Sequence, residues 1–215
     1  MKKLLFAAIG LCALLFTACE KDPDMDQLDS NFTVYTNYDN EVDFTKFETF
    51  YLPDSIMLVG QGMKHSYWTD ESAQELVALV ADNLVERGYT RVNEPADASL
   101  GVQLSYVEQT TQVTGFVGGN WYGGWWDPGF WGPYWGGWYY PYPVSYTYNT
   151  GTFIMEMLDL TKPSDVGAKK AELPVIWQAY AAGMLSGNSK LNKALVKDAI
   201  SQSFEQSNYI RSFHK

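Results

Sequence analysis

The sequence predicts a two-layer α+β domain, with two main helices packed on a mainly antiparallel sheet and a long Gly/Trp/Tyr-rich loop. Three observations predict it. Extended stretches rich in aromatic and β-branched residues flank turn-forming residues, two segments carry apolar stripes at helical spacing, and a late pair of apolar runs is joined by a charged connection.

The first stretch, Phe32 to Leu52, reads as two strands around a turn-forming region from Asn37 to Glu41. Thr69 or Asp70 then caps a helix in which Ala73, Val77, Val80 and Leu84 form a stripe with Leu76 and Leu79 beside it. Gly88 ends it, and Tyr89 is placed to pack back on the last turn. Leu100, Val102, Leu104 and Tyr106 alternate with Ser99, Gly101, Gln103 and Ser105, the period of a half-buried strand whose polar face sees solvent. Gly151 to Leu160 and Val175 to Ala182 read as a hairpin with a long loop from Thr161 to Pro174. Ser189 caps a C-terminal helix with Leu191, Ala194, Leu195, Ala199, Ile200 and Phe204 along one side. The apolar content of 46% suits a single domain over 32–215.

Ahead of it, Lys2 and Lys3, an apolar run from Leu4 to Phe16, and the small residues Thr17 and Ala18 follow one another in the order of an export signal over residues 1–18. The run is shorter than the roughly 20 residues a membrane span needs. Leu15 to Cys19 resembles a lipobox, which makes Cys19 the acylated residue; ordinary secretion with a free thiol is the competing reading. Several acyl chains on one residue give stable anchoring. Residues 19–31, with Glu20, Lys21, Asp22, Asp24, Asp26 and Asp29, are expected to form an acidic tether. The expected address is the cell envelope, lipid-anchored in the outer membrane, at the periplasmic face or the cell surface. With 15 basic and 25 acidic residues and no basic stripe, the chain is not expected to bind nucleic acid.

The runs VDFTKFETFYLP, LVERGYTRV, ADASLGVQLSYVEQTT, GTFIMEMLDL and VIWQAYAAGML, in this order and followed by a terminal helix, resemble the lipoprotein family called domain of unknown function 4136. The likeness spans about Val42 to Phe204. It implies an exported, usually lipidated α+β domain with neither an assigned activity nor known catalytic residues.

The unusual segment is the insert 116–148, with Trp121, Trp125, Trp126, Trp131, Trp135 and Trp138 among tyrosines, glycines and prolines and Asp127 as its only charge. These six tryptophans are the candidate ligand or interface contacts. Four readings stand: a low-complexity surface loop, insertion into the lipid headgroup zone, sugar stacking on rings, and a protein contact. With almost no aliphatic residues and no core periodicity, residues 116–142 are expected to be replaceable by a short turn at little cost.

Catalysis finds less support. His65 and His214 are the only histidines, and the sequence has no HExxH, Walker-type or GxSxG motif. Glu108, Glu156, Asp159 and Asp97 could supply a carboxylate pair, though Glu156 reads as a residue on the solvent face of its strand. Asp39, Asn40, Glu41 and Asp43 lack EF-hand spacing and read as turn chemistry. Asp54, Ser55 and Ile56 resemble a short O-glycosylation motif. No cofactor or metal is expected. The sequence thus favours a non-enzymatic envelope lipoprotein, an interaction or structural module contacting an envelope protein or membrane through its aromatic loop. A surface glycan-binding lipoprotein is the alternative, and a hydrolase with a carboxylate site the third reading.

Overall fold

The computed structural model describes residues 33–59, 66–107, 111–115, 131, 137–142, 144–148, 151–163, 172–183 and 189–213, with backbone alone at 111–115, 144–148 and 189–192. Cys19 and the tether lie outside these residues, as do His65, His214, Glu108, Trp121, Trp125, Trp126 and Trp135.

The two early extended stretches are β1 (Thr33–Tyr38) and β2 (Thr49–Tyr51), which join opposite sides of the sheet. Between them Asp39 and Asp43 are turn residues: their carboxylates accept from the N–H groups of Glu41 and Thr45, each 3.0–3.1 Å away. Strands β3 (Ile56–Val59) and β4 (Ser66–Trp68) form an antiparallel pair and lead into helix α1 (Glu71–Glu86). Asp70 is its N-cap, accepting from Ala73 N–H at 3.0 Å, and the Trp68 indole donates to the same carboxylate. Ala73, Leu76, Val77, Val80, Ala81 and Leu84 are buried, so the apolar stripe is the packed face. Gly88, at φ 95°, takes the left-handed conformation that stops the helix. Tyr89 folds back, buried, with its hydroxyl donating to the Phe44 carbonyl.

Strands β5 (Thr90–Val92), β6 (Leu100–Val107), β10 (Thr152–Asp159) and β11 (Leu173–Ala182) complete a mixed, mainly antiparallel sheet in the order β1-β11-β10-β6-β2-β5. β3 pairs in parallel with the second half of β6. β10 and β11 are the expected hairpin, in register from Phe153↔Ala181 to Met157↔Trp177, with a bulge after Met157. Helix α2 (Ser189–Gln206) closes the chain. Leu195, Val196, Ala199, Ile200 and Phe204 are buried and Ala194 is exposed, so the packed stripe is turned slightly from the expected one; Leu191 lies outside the described side chains.

Both helices bury their stripes on one face of the sheet, against Val102, Leu104, Phe153, Met155, Met157, Trp177 and Ala179. Glu75 of α1 accepts from Lys193 and Lys197 of α2 at 2.9 Å and 2.5 Å, and Arg87 donates to the Phe204 carbonyl while lying 4.8 Å from that ring's centroid. Among the described residues no helix is long and apolar enough to cross a membrane.

Leu84 is fully buried in this layer. Leu84→Asp should abolish the cooperative melt, because a buried, unpaired carboxylate costs several kcal/mol against a total stability of about 5–15 kcal/mol. A melt matching wild type would show that the residue escapes the core.

Candidate functional site

In a strand, residues i and i+2 share a face. On the face turned away from the helices, the register sets four polar side chains in a row: Asn37 of β1 opposite Gln178 of β11, Gln178 opposite Glu156 of β10, and Glu156 opposite Gln103 of β6. The alternation on β6 suggested that this face meets solvent. It does not: Gln103, Ser105, Glu156 and Gln178 are all buried. β10 and β11 supply the reason, since Ile154, Leu158, Leu173 and Val175 make this face apolar around the polar row, and an apolar face has to be covered.

The cover comes from the aromatic insert. β7 (Thr111–Gly115) and β9 (Val144–Tyr148) pair antiparallel as a separate two-stranded ribbon, which brings the ends of the insert together. Within it β8 (Trp138–Tyr139) pairs in parallel with the start of β11, and Leu173 N–H donates to the Gly137 carbonyl at 3.0 Å. Trp131, Trp138 and Tyr140 are buried in the second cluster with Met57, Val59, Val107 and the apolar residues of β10 and β11. Trp131 is held most closely. Its indole N–H donates to Gln103 Oε1 at 3.0 Å, Tyr51 meets it edge-on at 5.7 Å, and the six-membered ring lies over Gly101. A Cβ at Gly101 would stand 2.5 Å and 2.6 Å from two of its ring carbons, so glycine at the start of β6 makes room for the indole.

Three expectations are thereby corrected. Trp131 and Trp138 are core residues and do not present their rings to a ligand. Glu156 is not on a solvent face. Residues 116–142 include Trp131, Trp138 and Tyr140, rings of the second core, so replacing the segment by a short turn is expected to cost stability rather than little. The alternation on β6 reads the same whichever material covers its polar side. The near-continuous burial of β10 had a sequence signal, the run FIMEML, apolar at both parities except for its glutamate.

Glu156 sits at the middle of the row and is 1% exposed. Tyr140 donates its hydroxyl to one carboxyl oxygen and accepts from Gln178 Nε2 at 3.3 Å; among the described residues the second carboxyl oxygen has no hydrogen-bond partner. Gln103 donates to Ser105 at 3.3 Å. Burial away from water raises the Glu156 pKa from 4.5 to about 7, a rise only partly opposed by the Tyr140 hydrogen bond. The carboxyl is thus poised to carry a proton at neutral pH, within a neutral amide row.

Of the other candidate carboxylates, the described Asp159 and Asp97 do not join it. Asp159 is buried but accepts from Thr161 N–H and hydroxyl at 2.8 Å and 2.5 Å, and Asp97 is exposed. Asp54, exposed beside Ser55, pairs with Arg91 at 2.7 Å. Among the described residues no group of His, Cys, Asp and Glu is disposed to hold a metal ion.

Fold and site define an α+β domain whose sheet is covered by two helices on one side and by an aromatic insert on the other. The chain belongs to the DUF4136 family, a domain of unknown function, whose sequence model matches residues 34–207. It is similar to the crystal structure of a DUF4136 family protein from Bacteroides thetaiotaomicron VPI-5482, 37% identical, with a TM-score of 0.69, covering 84% of this chain and 98% of that one. Weaker likenesses are a PelC dodecamer from Paraburkholderia phytofirmans (16% identical, TM-score 0.34, 79% of this chain and 95% of that chain) and a PDZ domain protein from Parabacteroides distasonis ATCC 8503 (14%, 0.36, 84% and 40%). No curated protein matches the chain.

Gly101→Ala should destabilise the domain by about 1–3 kcal/mol through the clash with Trp131, read as an earlier denaturant midpoint and a red-shifted tryptophan emission as the indole is displaced. An unchanged midpoint would mean that the indole is not seated on β6. The Glu156 carboxyl makes a pH prediction whose sign follows from its raised pKa. The folded state holds the proton more tightly than the unfolded one, so the contribution is full below about pH 4.5 and is lost as pH rises to about 7, on the order of 3 kcal/mol in all. Glu156→Gln keeps an acceptor for Tyr140 and cannot ionise. Between pH 4.5 and 7.5 the wild-type melting temperature should therefore fall more than the variant's, by roughly 2–4 °C per kcal/mol. Parallel curves would refute the assignment.

Proposed function

We propose that this protein is an exported lipoprotein, anchored in the outer membrane of the cell envelope through acylated Cys19. We read its domain as a non-enzymatic interaction module that contacts an envelope protein or the membrane through the aromatic insert. One observation carries this reading: the β7–β9 ribbon joins the two ends of the insert, Trp131 seats it in the second core, and the chain between β7 and Trp131 holds Trp121, Trp125 and Trp126 with Asp127 as its only charge. Aromatic residues attached to a folded scaffold lose less entropy on binding than the same residues on a free chain, and little charge would need desolvating. Trp131, Trp138 and Tyr140 supply rings to the cover, and the reading assigns the contact to the tryptophans that precede them in the insert. The lipobox-like run Leu15 to Cys19 and the acidic residues after it support the anchor. The enclosure of Glu156 among amides, and the engagement of Asp159 by Thr161, support a structural role for these carboxyls over a hydrolytic one.

Two measurements test this. Cys19→Ser should abolish incorporation of a tagged fatty acid in cells; retained label would place the anchor elsewhere. Combined Trp121→Ala, Trp125→Ala and Trp126→Ala should leave the melt of the domain unchanged and remove its retention on envelope fractions. Retention equal to wild type would exclude the insert as the contact.

A further inference from the structure

The polar row does not end under the aromatic cover. Its outer members, Asn37 and Gln178, open into a cleft of about 190 Å³ between β1 and β11, lined by Tyr35, Thr36, Asn37, Gln178 and Tyr180. Clefts for drug-sized ligands measure about 300–1,000 Å³, so this one has room for a single small ring. All five lining residues are uncharged, in a chain of formal net charge −10, a field that opposes phosphates and carboxylates.

The chemistry of the walls is specific. Tyr35 stacks on Tyr180 with ring centroids 4.9 Å apart and planes at 19°, yet remains 52% exposed. Its ring is supported on one side and accessible on the other. Beside it the cross-strand pair Asn37↔Gln178 brings two carboxamides together. Asn37 Oδ1 accepts from Tyr38 N–H at 3.0 Å, which orients the group and directs its NH₂ donors elsewhere. Gln178 forms the buried floor, steadied by Tyr140. An apolar ring face next to paired amides matches a molecule with one apolar face and adjacent hydroxyls, and the neutrality of the walls matches an uncharged one.

We propose that the Tyr35–Tyr180 cleft binds one neutral pyranose unit, its apolar face on Tyr35 and its hydroxyls on Asn37 and Gln178. The site uses none of Trp121, Trp125 and Trp126, so it stands or falls apart from the contact proposed for the insert. Through Tyr140, the floor of the cleft is also joined to Glu156.

The test is a titration of the mature protein, isotope-labelled for NMR, with glucose, galactose, mannose and N-acetylglucosamine, and with glucose 6-phosphate as the charged comparison. At least one neutral sugar should shift the resonances of Tyr35, Asn37 and Gln178 saturably, and more tightly than the phosphate does. Tyr35→Ala should weaken that binding about tenfold, while Tyr35→Phe should stay within about twofold of wild type. The triple alanine variant of Trp121, Trp125 and Trp126 should bind the sugar like wild type. If Tyr35→Ala fails to fold, Asn37→Asp, which puts a charge into the cleft without emptying it, should weaken binding to a similar degree. The proposal is overturned if no neutral sugar gives a saturable shift, if glucose 6-phosphate binds more tightly than glucose, or if the substitutions in the cleft leave affinity unchanged.

Discussion

A sheet whose central strands are apolar on both faces has to be covered on both, and that requirement governs this molecule. Helices α1 and α2 cover one face with aliphatic stripes, an ordinary two-layer arrangement. The other face is closed by Trp131, Trp138 and Tyr140. Each aromatic ring buries on the order of 200 Å², an upper figure of about 5 kcal/mol at about 25 cal/mol per Å². The penalty of enclosing Glu156, on the order of 3 kcal/mol when it is ionised, is smaller than what even one such ring supplies. The cover therefore stays shut over a carboxyl that would otherwise favour water.

That balance accounts for the polar row beneath the cover. An isolated buried carboxylate would be prohibitive, but a carboxyl flanked by amides and bonded to a phenol can be neutral and partly satisfied. The row also orients its neighbours. Gln103 receives the Trp131 indole and Gln178 approaches the Tyr140 hydroxyl, so polar groups of the sheet set the positions of rings whose packing alone would be less directional.

Local signals carried the helix layer in the sequence: the stripe on α1, its Asp70 cap, the stop at Gly88 and the β10–β11 hairpin are each dictated within a few residues. The family, too, was visible in the order of its short runs. The second layer was much less legible, because its partners are distant in sequence. Gly101 and Trp131 are thirty positions apart, and nothing near Gly101 announces an indole above it. The alternation on β6 suggested a wet face because Gly, Gln and Ser are small or polar; only the apolar residues at both parities of β10, around Glu156, argued otherwise. In the insert, six tryptophans looked equivalent in composition, and only their tertiary contacts show that Trp131 and Trp138 belong to the second core. Asn37, Gln178 and the tyrosines beside them carried no signal at all, since their grouping follows from strand register between β1 and β11.

The β7–β9 ribbon has a consequence for how such a chain can change over evolutionary time. It joins the two ends of the insert, and Trp131 is seated in the second core, so residues 116–130 connect the end of β7 to that indole. Doubling a loop costs only about 0.6 kcal/mol in closure entropy. Changes of length in that span therefore cost little in closure, while the positions of Trp131, Gly101 and Trp138 are held by the second core. Variation among related chains should concentrate between β7 and Trp131, giving the fold one place where new contact surfaces can arise without a fresh solution to its packing.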